Sequence, residues 1–425
     1  MVNKTWDFFY KFHHLTCLLL VSLLAAALYF TRDVNYLKFL KNQQKLHSDD
    51  KNYSSTSSSS GRCDFFSGTW IYDNKSTYPL YKERECSFMD DTFACEKHGR
   101  KDLKYQRWRW QPHNCDIPMF NGTILLEKLR GKKLIFVGDS LNRNQWVSLL
   151  CLIEPFLPPS SHKKLILDGN MYFFHDNVRK KIPKKFSCMK EYNTTIGFYW
   201  SPFLVESNAD NIWDHRVPGR VIGVESIENH ARHWNDADIL IFDSYAWWLH
   251  PLMTLMWGSF GSSEAIYKTV DMKLRRYEMA LTTWSDWLEL NINRTRSKLF
   301  FMSVSPYLYR YIYKLCRGDV LRNCLNRSEP LFMDEYLVST KKSMRGIVES
   351  TIEKLEERGV KVEYLHITRM SEYRTDAHPS IYSRFSDYLT EEEKKHPRNN
   401  SDCLHWCLPG VPDVWNQILS DYIIN

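Results

Sequence analysis

Residues 134–146 read LIFVGDSLNRNQW, and this stretch decides the fold class. The apolar run Leu134–Val137 has the length and composition of a buried strand. Gly138 and Asp139 interrupt the run, and a segment of helical length follows them. The stretch therefore predicts a strand that turns directly into a helix, with Ser140 at the turn.

The alternation of strand and helix continues towards the carboxyl terminus. Further buried strands are predicted at Ile239–Phe242, Leu299–Met302 and Val360–Leu365. Segments with helical length and spacing lie at Asn142–Cys151, Tyr267–Leu290 and Asp334–Arg358. This pattern predicts an α/β fold in which helices cover both faces of a parallel sheet, with ligands bound at the carboxyl ends of its strands.

The amino-terminal segment has a different character. Leu15–Phe30 is almost wholly apolar and predicts a single transmembrane signal anchor, which leaves residues 1–14 as a cytosolic tail. A cleaved signal peptide is the alternative, because Ala25–Ala27 offers a small-residue cleavage site. Residues 31–61 end in a serine-rich run and predict a low-complexity stem.

Residues 62–425 are predicted to form one domain, because no change of composition marks a second globular unit. Residues 62–131 are rich in cysteine and aromatic residues and predict a disulfide-held cap, whereas residues 132–425 form the α/β part. Ten of the eleven cysteines follow the anchor, as do seven Asn-x-Ser/Thr glycosylation sites. These features predict an oxidising lumen and several disulfides, whose pairing the sequence leaves open.

Charge and metal-ligating residues argue against two classes of partner. The net charge of +7 is small for 425 residues and comes without a long stripe of Lys and Arg, so we expect no nucleic-acid partner. A metal site from Cys403, His405 and Cys407 has an alternate-residue spacing that is unusual for zinc, and lumenal thiols tend to oxidise. We expect neither a metal nor a cofactor.

Ser140 is the first candidate for chemistry, because the predicted turn exposes its hydroxyl at the carboxyl edge of the sheet. Amide groups at the start of a helix lack intrahelical acceptors and can stabilise an oxyanion. For the tripeptide Gly-Asp-Ser alone, a serine that only caps the helix is the more common interpretation. A phosphate-binding loop fits poorly, since neither of its glycine-rich patterns occurs at this turn.

The second motif is DCLHWCLPG, which begins at Asp402. In a tight loop, the carboxylate of Asp402 can hold the Nδ1–H of His405 while Nε2 faces a serine hydroxyl. The two cysteines of the motif, if bridged, would keep this loop rigid. Ser140, Asp402 and His405 thus form a candidate catalytic triad, and the chain order Ser, Asp, His is compatible with one. The alternative is a structural turn that Asp402 caps.

Together the two motifs resemble the plant trichome birefringence-like family, lumenal acetyltransferases of the broader Ser-Gly-Asn-His (SGNH) hydrolase-like class. The resemblance runs from about Cys63 to the carboxyl end. It includes CD at Cys63, GTW at Gly68, WRWQP at Trp108, CD at Cys115, FYW at Phe198 and EYRTDAHPSIY at Glu372. It implies an SGNH-hydrolase-like fold and a single-pass type II protein of the Golgi membrane, with its catalytic domain in the lumen.

Within that family, YAWW at Tyr245 and MWGSF at Met256 resemble the branch that acetylates xylan. The resemblance implies an O-acetyltransferase in which Ser140 accepts an acetyl group from a donor and a xylosyl O-2 or O-3 hydroxyl removes it. His405 would be the base in both steps, and Asp402 would orient it. An acetyl esterase with water as the acceptor, and a non-catalytic glycan-binding protein, are the alternatives.

The oxyanion site is predicted less directly. The backbone N–H of Ser140 is one donor, and Gly169 and Gly197 are both candidates for a second. In the wider class an Asn helps to bind the oxyanion, whereas this chain has Asp243 at that place. A carboxylate there repels an oxyanion unless it is protonated or turned away, so Asp243 also motivates the non-catalytic alternative. His378 is predicted to be a structural residue near the site.

Aromatic side chains are the candidates for glycan contacts, because their faces suit the apolar faces of sugar rings. Tyr245 and Trp248 are predicted to line the groove. Trp200, Trp247 and Trp257 are further candidates, and the alternative for each is that the ring fills the core.

Overall fold

The computed structural model describes most of the chain after the predicted stem. The described residues are 63–157, 163–168, 171–176, 192–306, 324–331 and 339–425, except Ser76, Leu252 and Asp271. The predicted tail, anchor and stem lie outside them. From Asp64 to Asn425 the described chain is one compact unit. In this part of the chain no helix combines the length and the apolar character needed to cross a bilayer.

The described residues contain strands and α-helices in alternation, numbered here in chain order. The strands are β1 (Gly68–Tyr72), β2 (Trp108–Pro112), β3 (Lys133–Gly138), β4 (Lys163–Asp168), β5 (Met171–Asp176), β6 (Thr195–Trp200), β7 (Arg220–Gly223), β8 (Ile239–Phe242), β9 (Met253–Trp257), β10 (Ile266–Thr269), β11 (Lys298–Met302) and β12 (Val362–Leu365). The α-helices are α1 (Gly122–Lys128), α2 (Ser140–Ile153), α3 (Glu228–Ala231), α4 (Lys273–Asn291), α5 (Ser339–Glu357), α6 (Thr368–Glu372), α7 (Glu391–Lys394), α8 (Pro397–Asn400) and α9 (Val411–Ile424).

A seven-stranded sheet in the order β12-β11-β8-β3-β6-β5-β4 is the centre of the fold. The strands β12, β11, β8, β3 and β6 are parallel. The sheet as a whole is mixed, however, because β5 pairs antiparallel with both β6 and β4. The chain between β4 and β5 is too short for a crossover, so these two strands can pair only in the antiparallel sense. The predicted parallel sheet is therefore correct for five strands and needs this antiparallel edge added.

Helices cover both faces of the sheet. Successive residues of a strand point to opposite faces, and both faces of β3 are fully buried. Ile135 and Val137 belong to a core that includes Trp284 of α4 and Val348 of α5. Helix α2 packs on β3 and β6, and α9 packs against α2. One predicted helix is shorter than expected: Ile266–Thr269 pairs with β9 as the edge strand β10, and α4 begins only at Lys273.

The turn from β3 into α2 is fixed by Gly138 and Asp139. A Cβ atom on Gly138 would lie 2.3 Å from the carbonyl oxygen of Asp243, so only glycine allows this close approach to the chain that leaves β8. The Oδ1 atom of Asp139 accepts the Leu141 N–H at 2.8 Å and caps α2. Ser140 is consequently the first residue of α2, at the carboxyl end of the central strand.

Disulfides connect the predicted cap to the α/β part. Three bridges join Cys86 to Cys151, Cys95 to Cys407 and Cys324 to Cys403 in the described part of the chain, and Cys63 and Cys115 are also disulfide-bonded. Two of these bridges hold the segment that contains Asp402 and His405. The first of the three joins the predicted cap to α2, the helix that begins at Ser140.

Candidate active site

Ser140, His405 and Asp402 form a continuous chain of hydrogen bonds at the carboxyl end of β3. The Nε2 atom of His405 is 2.8 Å from Ser140 Oγ, and its Nδ1 atom is 2.8 Å from Asp402 Oδ2. The other oxygen of Asp402 accepts the backbone N–H groups of Leu404 and His405, each at 3.1 Å. With the Nδ1 proton donated to Asp402, Nε2 can accept the proton of the Ser140 hydroxyl.

The structure thus brings together the three residues of the predicted triad. Backbone hydrogen bonds between Ser380 and Asp402, at 2.9 and 2.8 Å, hold one end of the loop that carries the acid and the base. At the other end, a Cβ atom on Gly410 would lie 2.4 Å from the Cys407 carbonyl oxygen, so the loop closes tightly before α9.

Asn144 joins this loop to α2. It lies one helical turn after Ser140, is fully buried, and faces the backbone of Trp406. Its Oδ1 atom accepts the Trp406 N–H at 2.8 Å, and its Nδ2 atom donates to the Trp406 carbonyl at 3.2 Å. One helix therefore carries the predicted nucleophile and also fixes the residue next to the predicted base. Asn144 was not predicted as a site residue, although its spacing from Ser140 on a helix is a usable signal.

His378 also contacts the loop that carries Asp402 and His405. Its Nδ1–H donates to the His405 carbonyl at 2.8 Å, and its ring stacks on Trp406 with the centroids 4.1 Å apart. Burial lowers the pKa of His378 to about 4, so its imidazole is neutral. Arg100 in turn donates to the His378 carbonyl at 2.9 Å. The contacts of His378 are thus those of a positioning residue.

The charges and hydrogen bonds around Asp402 and His405 favour the protonated, cationic form of the imidazole. Burial alone would raise the pKa of Asp402, but the charge of His405 and the hydrogen bonds to the carboxylate hold it below its ordinary value. Burial alone would lower the pKa of His405, and the Asp402 carboxylate outweighs it, so that the pKa of His405 is raised. The imidazolium is accordingly favoured beside Ser140.

Two buried carboxyl groups lie behind Ser140. Burial raises the pKa of Asp139 to about 6, while its Oδ1 caps α2. Burial and the neighbouring Asp139 carboxylate raise the pKa of Asp243 well above its ordinary value. Asp243 is therefore the neutral partner of the two. A protonated Asp243 carries no charge to repel an oxyanion, which removes the conflict expected from the sequence; its role at the oxyanion stays a prediction.

A cation also lies beside the triad. Arg143 follows Ser140 by three residues on α2 and forms an ion pair with Asp90. Its Nε atom is buried and has no hydrogen-bond partner among the described residues. Its charge opposes protonation of His405, although the effect of Asp402 is larger. Arg143 was not predicted as a site residue, although its helical spacing from Ser140 is a usable signal.

The two glycines predicted for the oxyanion site fare differently. Gly169 lies outside the described residues. Gly197 pairs with Ile135 in the middle of the sheet, three residues before the Gly138–Trp200 pair at the end of the strands. At about 3.3 Å per residue it lies roughly 10 Å from that end. We therefore do not assign Gly197 to the oxyanion site. The predicted donor at the Ser140 amide sits where the first turn of α2 begins.

The two aromatic residues predicted to line a groove belong to the core instead. Trp248 is 0% exposed and Tyr245 is 4% exposed. The Trp248 indole donates to Ser244 Oγ at 2.9 Å, and its ring packs edge-on against Phe203. Both residues follow β8 into a short 3-10 helix whose apolar side faces inward. The glycan-contact prediction for Tyr245 and Trp248 is corrected accordingly.

Other aromatic rings surround the site. The Phe385 ring is stacked on the His405 imidazole, with centroids 5.9 Å apart, and the Phe93 ring lies 5.8 Å away. Trp247 is half-buried, and Trp213, which the sequence analysis did not single out, is 72% exposed. Of these rings, the half-buried Phe385 leaves apolar surface next to His405, whereas Phe93 is buried.

In the part of the chain that the structure describes, no three potential metal-ligating side chains come together.

Comparison with known protein families divides the chain into two matched regions. Residues 117–422 match PC-Esterase, a GDSL/SGNH-like acyl-esterase family found in Pmr5 and Cas1p. Residues 61–116 match the PMR5 N-terminal domain. The boundary between the two matches precedes α1, whereas the predicted cap ends just before β3.

Curated relatives cover most of the chain. It is 43% identical to protein trichome birefringence-like 34 of Arabidopsis thaliana, over 98% of this chain and 96% of that protein. It is 44% identical to xylan O-acetyltransferase 14 of Oryza sativa subsp. japonica, over 88% of this chain and 79% of that protein. Xylan O-acetyltransferase 13 of the same rice is 45% identical, over 85% of this chain and 70% of that protein. The predicted resemblance to the trichome birefringence-like family is confirmed.

Proposed function

The chain belongs to the PC-Esterase family of GDSL/SGNH-like acyl esterases, and from this premise we propose that it is an O-acetyltransferase that acetylates xylan. The observation that carries the proposal is the pair of 2.8 Å hydrogen bonds that join Ser140, His405 and Asp402. The choice of xylan rests on relatives that are named xylan O-acetyltransferases and are 44% and 45% identical to this chain.

The first half-reaction loads the acetyl group onto Ser140. His405 Nε2 takes the hydroxyl proton while Oγ attacks the carbonyl carbon of the acetyl donor. The Ser140 amide at the start of α2 stabilises the resulting oxyanion. When the tetrahedral intermediate collapses, the bond to the leaving group breaks and the leaving group receives the proton from His405. Asp402 stabilises the imidazolium between these two proton transfers.

The second half-reaction transfers the acetyl group to the sugar. The O-2 or O-3 hydroxyl of a xylosyl residue gives its proton to His405 and attacks the acetyl-serine carbonyl. The C–O bond to Ser140 then breaks, and Ser140 Oγ recovers the proton. The same base thus serves both steps, and no net proton is gained or lost by the protein.

Hydrolysis is the competing outcome, because water can replace the sugar hydroxyl in the second step. The family description as acyl esterases makes acetyl-ester hydrolysis the second candidate function. The half-buried ring of Phe385 beside His405 favours an apolar sugar face over bulk water. We therefore place transfer ahead of hydrolysis.

We also propose that the catalytic unit works in the Golgi lumen, behind an anchor at Leu15–Phe30. Disulfides between Cys86 and Cys151, and between Cys95 and Cys407, support an oxidising compartment. The glycosylation sites found in the sequence support the same compartment.

The test is acetyl transfer by the purified protein, using an activated acetyl donor with xylan, mannan and pectic oligosaccharides in parallel and mass detection of the products. We expect acetylated xylo-oligosaccharide and, without an acceptor, an acetyl group on the peptide that contains Ser140. Release of acetate without acetylated sugar would identify an esterase. If the folded protein gives neither product, the result favours the non-catalytic alternative.

The matched variants are Ser140→Ala and Ser262→Ala, the second in an exposed loop remote in sequence from the triad. We expect Ser140→Ala to abolish transfer and Ser262→Ala to transfer like the unmodified protein. Unchanged xylan acetylation by Ser140→Ala would refute the role of Ser140 as nucleophile.

A further inference from the structure

A surface next to the triad combines aromatic rings with two arginines and has no part in the transfer steps above. We name it the basic rim, and it consists of Trp200, His215, Arg216, Arg220 and Trp247. Trp200 is the last residue of β6 and pairs with Gly138, two residues before Ser140. The basic rim therefore begins at the same end of the sheet as the nucleophile.

The rings of the basic rim form one continuous patch. The Trp200 ring centroid is 5.4 Å from that of Trp247 and 5.1 Å from that of His215. The His215 and Trp247 rings are 5.6 Å apart. Trp200 is buried, whereas His215 and Trp247 are half-buried and so present part of their surface to solvent. Such faces suit the apolar side of a sugar ring.

Arg220 is the feature that the fold itself does not explain. Its guanidinium carbon lies 4.2 Å from the centroid of the Trp247 ring, and Nη1 donates to the Trp247 carbonyl at 3.1 Å. Its Nε atom is buried without a hydrogen-bond partner, and no carboxylate in the described part of the chain forms an ion pair with it. Burial lowers the pKa of Arg220 to about 10. Among the described residues, the Trp247 ring and carbonyl are thus the groups that stabilise this half-buried cation, and its charge stays uncompensated by a carboxylate.

Arg216 connects the basic rim to the base of the triad. Its guanidinium carbon is 5.6 Å from the centroid of the Phe385 ring, which is itself stacked on His405 at 5.9 Å. Arg216 is exposed, and among the described residues it too has no ion-pair partner. The nearby Asp214 is exposed and forms no ion pair with either arginine in this part of the chain.

His215 contributes its ring and no charge. Its Nδ1–H donates to the Ile212 carbonyl at 2.8 Å, which leaves Nε2 as an acceptor. Burial, and then the charges of Arg216 and Arg220, lower the pKa of His215. The positive charge of the basic rim therefore comes from the two guanidinium groups.

We propose that the basic rim is a subsite for a sugar carboxylate, a uronosyl residue carried by the polysaccharide that receives the acetyl group. This inference rests on the proposed function. The exposed guanidinium of Arg216 can donate two parallel hydrogen bonds to a carboxylate, and the half-buried Arg220 adds a charge whose effect partial burial strengthens. The adjoining Trp247 ring supports the pyranose that bears the carboxylate. The acetylated hydroxyl and the uronosyl residue then lie on nearby sugars of one chain.

The same charges also fit a phosphate of an anionic acetyl donor. The aromatic patch favours the sugar, because a phosphate gains nothing from a ring face. Trp213 lies in the same loop as Arg216 and is exposed, so its ring is free to stack on a sugar.

The experiment compares acceptors and donors with the full-length protein. Neutral xylo-oligosaccharides and the same oligosaccharides with one uronosyl substituent are acetylated from a neutral donor, an aryl acetate, and from an anionic donor, acetyl phosphate. The variants are Arg216→Gln, Arg220→Gln and Arg220→Lys. The matched control is Arg232→Gln, an exposed arginine next to His233, whose carbonyl contacts Lys133 at the opposite end of β3.

We expect the ratio of kcat/KM for the uronosyl acceptor to that for the neutral acceptor to fall at least about tenfold in both glutamine variants, as for lost charge-assisted hydrogen bonds. Arg220→Lys should recover part of the ratio, because it keeps the charge and loses the fork. Arg232→Gln should keep the ratio of the unmodified protein. Folding is checked for each variant by its melting temperature.

Each other outcome overturns the inference. A ratio that stays unchanged in folded Arg216→Gln and Arg220→Gln means that the basic rim does not read the acceptor. A loss confined to acetyl phosphate assigns it to the donor. If no acceptor is acetylated at all, the proposed function fails, and titration calorimetry of the uronosyl oligosaccharide decides the subsite separately: equal affinity of the unmodified protein and Arg220→Gln rejects it.

Discussion

Replacing Asn144 with alanine is expected to weaken the fold and the chemistry together. The change removes both hydrogen bonds to Trp406, at 2.8 and 3.2 Å, and leaves its backbone N–H and C=O buried without a partner. Each such group costs about 1–3 kcal/mol, and since the second bond is long we expect a loss of about 2–4 kcal/mol in the free energy of unfolding.

The catalytic loss follows from the position of Trp406 beside His405. Without the Asn144 contact, the backbone of Trp406 is no longer tied to α2, although the bridges and the His378 hydrogen bond still hold the loop. The 2.8 Å contact between His405 Nε2 and Ser140 Oγ then loosens. A displacement of about 1 Å at such a contact lowers the rate by roughly 100-fold. We expect a fall in kcat of that order with little change in the KM for xylan.

The assay pairs denaturant unfolding with steady-state acetyl transfer, and Asn416→Ala is the matched control. Asn416 is also fully buried, and its Nδ2 donates to Gln145 O and Ser148 Oγ, both at 2.9 Å, which joins α9 to α2 away from the triad loop. Asn416→Ala should lose similar stability and keep its kcat. If both variants lose the same stability and the same activity, Asn144 stabilises the fold without positioning the base, and the reasoning is refuted.

Three further predictions concern protons and disulfides. Because the pKa of His405 is raised and only its neutral form is a base, kcat/KM should rise with pH through an apparent pKa above the ordinary value for histidine. In Asp402→Asn the effect of burial on His405 dominates, so this rise should move to lower pH and the maximal kcat/KM should fall. An unmoved pH profile would contradict the pairing of Asp402 with His405. Asp243 has a raised pKa in the folded state, so it opposes folding increasingly as the pH rises above the pKa that the carboxyl has in the unfolded chain. Asp243→Asn should therefore gain stability relative to the unmodified protein at pH 8 compared with pH 5 in thermal unfolding, and should retain activity. A loss of stability at both pH values would show that Asp243 is ionised and paired. The double variant Cys95→Ala and Cys407→Ala should lose transfer activity before it loses its helical circular dichroism, because the bridge holds the triad loop; full activity would show that the other contacts suffice.

The central strands and the meeting of Ser140, His405 and Asp402 were predictable because their signals are local and strong. The predicted Ile239–Phe242 has the same bounds as β8, and Leu134–Val137 lies within β3. Such runs are buried on both faces, so they are apolar throughout and easy to recognise. Ser140 and His405 are far apart in sequence, yet each sits in a short motif whose residue types point to one chemistry.

The elements that were missed depend on partners distant in sequence. The segment Ile266–Thr269 is exposed and becomes a strand only because β9 is available to pair with it, so its residues carried no strand pattern of their own. Strands β4 and β5 form an antiparallel pair next to β6, with no helix between them. A pattern of alternating strands and helices does not predict such a pair.

Trp247 and Trp248 show why the groove could not be identified from residue type. They are neighbours in a 3-10 helix, where successive side chains point about 120° apart. Trp248 consequently faces Phe203 and Tyr277 in the core, while Trp247 faces His215 and Arg220 at the surface. Both rings have faces that suit a sugar, and only the direction in which each side chain leaves the helix places one in the core and the other at the surface.

The bridge between Cys95 and Cys407 spans 312 residues and closes beside the catalytic base. The bridge therefore ties the predicted cap to the loop of the predicted triad and couples the geometry of that loop to the redox state of the surrounding compartment. In a reduced chain the hydrogen bonds of Asn144, His378 and Ser380 still hold the loop, but this covalent tie is lost. We accordingly expect acetyl transfer to depend on the redox potential to which the protein is exposed.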